Sequence, residues 1–479
     1  MARRCVLALD QGGHASRALL FDAGGAVLAH AERRIATHRR GPARVEHTAA
    51  AVLRSLQEAA EAAIEALPRG WTIEAAGLAT QRSSIACWDR ASGKPLSPVI
   101  SWQDRRAARR VTALAPEARR ITELTGLVLS PHYGASKLAW CLQHLPAVKK
   151  ARREGSLAAG PLASFAIAGL VRTRPCLADP VNGARTQLLD IHRGDWSQEL
   201  GGLFEVPVDI LPRLMPNRHA FGELRIVGRP IPLTVVTGDQ PAALFADGEP
   251  KPHVAYLNLG TGAFIQCLSE QRVPGLLRSV LWRDTGRSLY ALEGTVNGAA
   301  TALNAIGKRL GLDETRMMRA LPAWLAASSE PPLFLNGIGG LGAPYWCAGF
   351  SSRFVGRGDA GRKMTAVVES IVFLLLENLE RMRSAGIGLR TLRVSGGLAQ
   401  LDGLCQRLAD LSALPVERPA LHEATALGLA RLAGGAAQAP TADCSRFEPR
   451  HAPLLGARQR RWQAAMHEAL EQDEKKRPG

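Results

Sequence analysis

Three short stretches carry residue types that can hold an anion or move a proton. Asp10 closes the apolar run Cys5-Val6-Leu7-Ala8-Leu9 and is followed by Gln11-Gly12-Gly13-His14-Ala15-Ser16. Glycines in a tight turn let backbone N–H groups converge on an anion. A second such turn is Gly260-Thr261-Gly262, where the threonine hydroxyl adds a donor. One glycine-rich turn is commonly nothing more than a turn. Two at equivalent points of a duplicated chain are what a phosphate chain gripped from two sides requires. The third stretch, Leu233-Thr234-Val235-Val236-Thr237-Gly238-Asp239-Gln240, is an apolar strand that delivers a carboxylate directly after a glycine. In phosphoryl transfer a carboxylate accepts the proton of the attacking hydroxyl while metal ions neutralise the phosphates. On spacing alone, an aspartate that begins a turn remains the alternative. Neither GxxxxGK[ST] nor a GxGxxG following a strand occurs.

These residues need elements to hold them. Cys5–Asp10, Arg17–Asp22 and Ala26–Ala29 are apolar runs separated by turns, which predicts an antiparallel meander. Thr48 then caps a helix whose Val52, Leu53, Leu56, Ala60, Ala63 and Ile64 recur at helical spacing and which ends before Pro68-Arg69-Gly70. Ile73–Ala79 reads as the next strand. The plan returns in the second half: His253–Leu259, the turn Gly260-Thr261-Gly262, Ala263–Leu268, a buried helix over Thr365–Arg383 and a strand Thr391–Val394 closed by Ser395-Gly396-Gly397. Two copies of one plan predict two similar α/β domains, 1–245 and 246–479, the second ending in a helix and tail.

Composition narrows the function classes. The chain has 479 residues, 46% of them hydrophobic, which excludes a mainly disordered protein. Sixty basic residues against 43 acidic ones give a net charge of +17, and 51 of the 60 are arginine. Nucleic-acid binding needs that charge focused on a face or a segment. Here it is scattered as doublets such as Arg33-Arg34, Arg105-Arg106 and Arg460-Arg461 with acids between, and aromatics for base stacking are few at 5%. No nucleic-acid partner is expected. The eight cysteines form no CxxC pair or zinc-spaced cluster, and several in apolar context, such as Cys87 and Cys267, read as buried free thiols. Gly155–Val171, the most apolar stretch, is interrupted by Pro161, glycines and serines, so a buried helix–strand segment is expected instead of a membrane span. A soluble protein of the reducing cytoplasm follows from these features.

The order of short motifs resembles the FGGY family of carbohydrate kinases. The matching stretches include Ala8-Leu9-Asp10-Gln11-Gly12, Val45-Glu46-His47, Thr80-Gln81-Arg82, Trp102-Gln103, Lys137 with Trp140, Arg185-Thr186 and Asp195-Trp196. They continue through Gly238-Asp239-Gln240, Gly260-Thr261-Gly262, Gly340-Leu341-Gly342-Ala343-Pro344-Tyr345-Trp346 and Thr425-Ala426-Leu427-Gly428. The resemblance implies two ribonuclease-H-like domains of the actin and hexokinase type with an interdomain cleft. It further implies ATP- and Mg²⁺-dependent phosphorylation of a hydroxyl on a small polyol or sugar. A homodimer is left open.

By the same resemblance Asp239 falls on the catalytic base and Asp10 on the residue that holds Mg²⁺ through water. Arg82, Trp102, Gln240 and Phe264 fall on substrate-pocket positions. Gly12, Gly13, His14, Ala15, Ser16 and Arg17 form the first phosphate loop. Gly260, Thr261, Gly262, Ala300, Asn304, Gly396, Gly397 and Leu401 fall on nucleotide-contacting positions.

Departures stand beside these matches. Ser83 occupies a position where glutamate is usual, and His132, with Tyr133 adjacent, occupies that of a substrate-binding tyrosine. Losing a carboxylate removes a charge-assisted hydrogen bond worth ~1.5–3 kcal/mol, which opens the pocket to other polyols or a ketose. In the first loop Ser16 is the one hydroxyl left. Ala300, Asn304 and Leu401 replace polar or smaller nucleotide contacts. A catalytically weak homologue that senses a sugar or nucleotide is therefore the alternative reading. Val227-Gly228-Arg229-Pro230 is too short for the sugar-bisphosphate regulatory loop known in the family, so no such feedback is expected.

Overall fold

The run ending at Asp10 forms β1 (Arg3–Gln11), which turns into β2 (Ala15–Asp22) and β3 (Val27–Arg34), the antiparallel meander read from the sequence. Helix α1 (Ala49–Glu65) buries Val52, Leu56, Ala59, Ala60 and Ala63 against β2 and β3. Thr48 occupies its N-cap, but the hydroxyl pairs with His38 Nε2 at 3.4 Å instead of capping a helix N–H. β4 (Trp71–Thr80) runs parallel to β1. The hairpin β5 (Arg218–Ile226) and β6 (Arg229–Gly238) completes a sheet of order β5-β6-β4-β1-β2-β3, with β6 parallel to β4. Beside it lies a smaller sheet that includes Arg44–His47, Ile85–Asp89 and Leu157–Pro161, covered by helix α2 (Gly134–His144). Gly155–Val171 resolves into that last strand and the buried helix Leu162–Leu170. Short helix α3 (Asp239–Leu244) follows β6 directly.

The second sheet repeats the plan. Strands β7 (Val254–Leu259), β8 (Ala263–Leu268), β9 (Leu277–Asp284) and β10 (Arg287–Val296) are followed by β11 (Thr391–Ser395), β12 (Val416–Pro419) and β13 (Cys444–Phe447). Their order is β9-β10-β8-β7-β11-β12-β13. As in the first sheet, an antiparallel trio (β10, β8, β7) is continued by parallel strands (β7, β11, β12), the ribonuclease-H-like arrangement. Helix α4 (Ala300–Arg309) packs on α5 (Ala360–Ser384), which begins earlier than its apolar run because Asp359 accepts a hydrogen bond from the Arg362 N–H at 2.8 Å and caps it. Glu369 in α5 is 1% exposed and is held by Arg407 and Arg458. Helix α6 (Ala424–Leu432) packs on α3 and β4.

The computed structural model describes residues 3–41, 43–226, 229–327, 330–420, 423–434 and 443–475. Val227 and Gly228, half of the segment expected to lack a regulatory loop, lie outside them. The chain groups into two units. Met1–Pro250, Ser279–Tyr290 and His422–Thr441 form the first; Lys251–Arg278, Ala291–Leu421 and Ala442–Gly479 form the second. The division is thus not linear, since the β9–β10 tip and α6 belong with the first unit. Six of the eight cysteines are buried, Cys87 and Cys267 among them, while Cys176 is half-buried and Cys444 exposed. Among the described residues no helix is long and apolar enough to cross a membrane.

Candidate active site

In the first unit the register of three parallel strands lines up their carboxyl ends. Asp10 in β1 and Thr237 in β6 both lie level with Ala79 of β4, one on each side. Adjacent strands lie ~4.8 Å apart, so the ends of β1 and β6 are separated by ~10 Å with the end of β4 between them. Asp10, Arg82 and Asp239 leave these three ends in a row. Carboxyl ends of parallel strands are where open α/β sheets bind ligands, because side chains and loops there have no further strand to cover them.

Two carboxylates share this place with arginines. Asp10 is 7% exposed, and its Oδ1 has no hydrogen-bond partner. Burial, then the charge of Asp239, push its carboxyl up to about 7; Arg17 pulls it down and Glu423 adds to the rise. Asp239 begins α3, and its Oδ1 accepts a hydrogen bond from the Gln240 N–H at 2.8 Å. Burial also raises Asp239, opposed by the charges of Arg82 and Arg185. Thr425 at the start of α6 donates to the Asp239 carbonyl at 3.3 Å. Arg82 donates to Gln240 Oε1 across the end of β6. Glycine at 238 makes that crossing possible: a Cβ there would stand 2.7 Å from both Cγ and Cδ of Arg82.

The wall beyond Arg82 is aromatic. Trp102 and His132 pack with ring centroids 5.3 Å apart, and His132 meets Tyr133 edge-on at 5.2 Å. His132 is half-buried, whereas Tyr133 is 3% exposed, so the histidine presents the accessible ring and the tyrosine backs it. Ser83 has a left-handed backbone (φ 65°), and its buried hydroxyl has no hydrogen-bond partner.

The first glycine turn is closed by the Gly12 N–H donating to Ala15 O at 2.9 Å. The buried amides of Gln11 and Gln81 both donate to Gly12 O, at 2.6 and 3.3 Å. Gly12 and Gly13 are half-buried, His14 is exposed and Ala15 is buried. Ser16 turns the other way: it is fully buried and its hydroxyl pairs with Ser55 of α1 at 2.8 Å, so it faces the core and not the turn. Arg17 is held by Glu32 at 2.8 Å and Glu423 at 3.6 Å.

In the second unit the turn between β7 and β8 is closed by the Gly260 N–H and Gly262 O at 2.9 Å. The N–H groups of Ala300 and Thr301, at the start of α4, donate to Gly260 O and Thr261 O at 3.1 and 3.2 Å, which seats that helix on the turn. Thr261 is exposed. Gly396 has φ 90°, and a Cβ there would lie 2.7 Å from Leu259 O, so the chain after β11 passes directly beneath the end of β7. Gly260, Thr261, Gly262, Ala300, Gly396 and Gly397 therefore cluster. Asn304, one turn into α4, is exposed and donates to Glu314 at 3.2 Å. Leu401 stands apart, 6% exposed within the core. Phe264 lies half-buried in β8, level with Asn258 and Thr295.

Residues without a role in the sequence reading also act here. Arg185 faces Asp239 electrostatically, Glu423 faces Asp10 and Arg17, Gln81 buttresses the first turn, and Lys137 is buried against the Ser83 and His132 carbonyls. Arg185, Gln81 and Lys137 stand inside the motif strings, but nothing in their local spacing says what they touch. Arg106, half of a doublet, is buried between Glu46 and Asp104 and lies over the Trp140 ring at 4.7 Å.

The chain matches known proteins over nearly its whole length. The model of the N-terminal domain of the FGGY family of carbohydrate kinases matches residues 5–246, and that of the C-terminal domain matches 255–437. A glycerol kinase of Alkalilimnicola ehrlichii is 35% identical over 97% of this chain and 98% of its own. One from Trichlorobacter lovleyi is 37% identical over 90% and 89%. Among solved structures, Plasmodium falciparum glycerol kinase with ADP superposes with a TM-score of 0.88 at 23% identity, covering 98% of each chain. Xylulose kinase from Rhodospirillum rubrum gives 0.86 at 20% identity, covering 98% of this chain and all of its own; both likenesses are of fold. The repeated fold, the row of strand-end residues and these matches agree: the chain belongs to the FGGY family of carbohydrate kinases.

Proposed function

We propose that this kinase transfers the γ-phosphoryl group of MgATP to a primary hydroxyl of glycerol or a polyol of similar size, with Asp239 as general base. The row Asp10–Arg82–Asp239 on three adjacent strand ends carries this reading. Glycerol comes first among acceptors because relatives of that name are 35–37% identical. Ser83 and His132 make erythritol, pentitols and ketopentoses the next to be tested.

In this reading Arg82 and Gln240, already joined by a hydrogen bond, hold the acceptor's hydroxyls, and Trp102 and His132 wall its carbon chain. Asp239 accepts the hydroxyl proton as the oxygen attacks phosphorus. Burial raises its proton affinity, which suits a base, while the charges of Arg82 and Arg185 oppose that rise. Phosphate-binding donors are offered by each unit on its own: in the first, the backbone N–H groups of the Gly12–Ala15 turn with Arg17; in the second, the Gly260–Gly262 turn with the exposed Thr261 hydroxyl. Gly396, Gly397, Ala300 and Asn304 contact the nucleoside end. The buried core positions of Ser16 and Leu401 give these two a supporting role beneath those contacts.

The residues present fit a magnesium ion. Asp10 Oδ1 is buried with no partner, and Asp10 and Asp239 each raise the cost of the other's charge, which a cation relieves. Among the described residues no group of three or more ligating side chains exists. That suits Mg²⁺, which keeps most of its waters and takes substrate phosphate oxygens. When bound, it supplies positive charge to the phosphates; Asp10 and Asp239 are the residues that would hold it. Use of ATP and cysteines buried as thiols, such as Cys87 and Cys267, support the cytoplasm as the setting.

ADP release measured over glycerol, erythritol, pentitols, dihydroxyacetone and ketopentoses, with ATP and Mg²⁺, tests the proposal. Saturable turnover with glycerol or another polyol is expected, and would also dispose of a sensor role. ADP release with none of them would overturn the reading.

A further inference from the structure

Lys137 is among the largest fully buried side chains of the protein, at 0% exposure, on the first turns of α2. Taking an ammonium out of water costs several kcal/mol unless a charge or good hydrogen bonds offset it. Among the described residues no carboxylate lies within ion-pair distance of it. Asp104, the acid whose field reaches it, is already engaged by Arg106 and by the Val45 N–H at 2.6 Å. What Lys137 has instead is two backbone carbonyls: its Nζ donates to Ser83 O at 3.0 Å and to His132 O at 2.6 Å.

Those two carbonyls belong to the two segments that carry the acceptor pocket. Ser83 directly follows Arg82, in a left-handed conformation that a non-glycine residue adopts only where its surroundings hold it. His132 carries the ring that packs on Trp102. The rest of α2 is pinned as well, because Trp140, one turn on, lies under the Arg106 guanidinium. One buried side chain thus joins two loops distant in sequence and gives each a fixed place relative to a rigid helix.

Resting on the pocket reading above, we infer that Lys137 is a positioning residue for the acceptor. Its ammonium sets the distance between the Arg82–Ser83 and His132–Tyr133 segments, and so the fit of the polyol between them. Being fully buried, it touches no substrate. Desolvation pulls its ammonium down to about 7, so as a charge it costs the fold stability.

Steady-state kinetics and thermal melting of Lys137→Met and Lys137→Gln, beside wild type and Arg82→Ala, test this with the best polyol of the panel. Lys137→Met should raise the KM for the polyol tenfold or more. Its KM for ATP should stay within twofold, and its Tm should be unchanged or higher. Lys137→Gln keeps two N–H donors without the charge and should bring the KM back to within about threefold of wild type. Arg82→Ala should raise the KM for the polyol regardless of Lys137; if it does not, the pocket reading fails and not the tie. A raised KM in Arg82→Ala with an unchanged one in Lys137→Met overturns the inference. So does a Lys137→Met protein that does not fold, or one that loses Tm, kcat and both KM values together, since a purely structural lysine behaves that way.

Discussion

Replacing Gly238 by alanine adds one methyl group where Arg82 crosses the end of β6. The new Cβ would stand 2.7 Å from Cγ and Cδ of Arg82 and 3.3 Å from Cδ of Pro241. Carbon atoms settle at ~3.5–4.0 Å, so the arginine must retreat by about 1 Å. Its stem is flexible, so the backbone holds and the fold survives. What goes is the hydrogen bond to Gln240 and the guanidinium's place beside Asp239. A hydrogen bond to a charged group is worth ~1.5–3 kcal/mol, and 1.4 kcal/mol is a factor of ten. The KM for the polyol should therefore rise about 10- to 100-fold, with kcat and the KM for ATP changed by less than about fivefold. A coupled ADP-release assay at varied polyol reads both. The double variant with Arg82→Ala supplies the sharper measurement. If the methyl acts by displacing Arg82, it should add nothing once that side chain is gone, so the two changes must be non-additive. Additive losses, or a KM within twofold of wild type for Gly238→Ala, would refute the reasoning.

Asp239→Asn keeps the shape and the hydrogen bond from the Gln240 N–H, so kcat should fall by ~10²–10⁴ with little change in KM; near wild-type turnover would remove the base assignment. Asp10→Asn should raise the Mg²⁺ concentration for half-maximal activity by about tenfold or more, read by metal titration at saturating ATP, because the unpartnered Oδ1 is then a neutral ligand. Gly396→Ala should lower the Tm and raise the KM for ATP more than that for the polyol. Here the new Cβ meets Leu259 backbone at 2.7 Å from its carbonyl oxygen, and φ is 90°, so neither side can yield cheaply. Lys137 binds fewer protons folded than unfolded between about 7 and its ordinary 10.5. Its charge therefore destabilises the fold below that window and is relieved as pH rises through it. The stability difference between wild type and Lys137→Met, followed by urea denaturation from pH 6 to 10, should swing in favour of wild type by on the order of a few kcal/mol. A flat difference would remove the claim of an uncompensated ammonium.

Local sequence determined the alternation of elements and the chemistry of the turns. Strand and helix periods are properties of adjacent residues, so the first meander, the second-half hairpin, α1, the buried α5 and the Leu233–Gly238 strand ending at Asp239 can be read without partners. Likewise, Gly12-Gly13 and Gly260-Thr261-Gly262 announce turns because glycine's backbone freedom is intrinsic. Tertiary structure alone decided which of these residues meet. Parallel pairing of β1, β4 and β6 brings Asp10, Arg82 and Asp239 into one row, and register across distant strands is set by the packing of whole faces, which no short window contains. For the same reason Ser16, the one hydroxyl of the first loop, turned out to face Ser55 in the core, and Leu401 to lie inside it. Which side of a strand or cap is buried depends on the helix laid against it. Lys137 shows the limit most plainly: the motif names the residue, and only the fold encloses its ammonium between two carbonyls from distant loops.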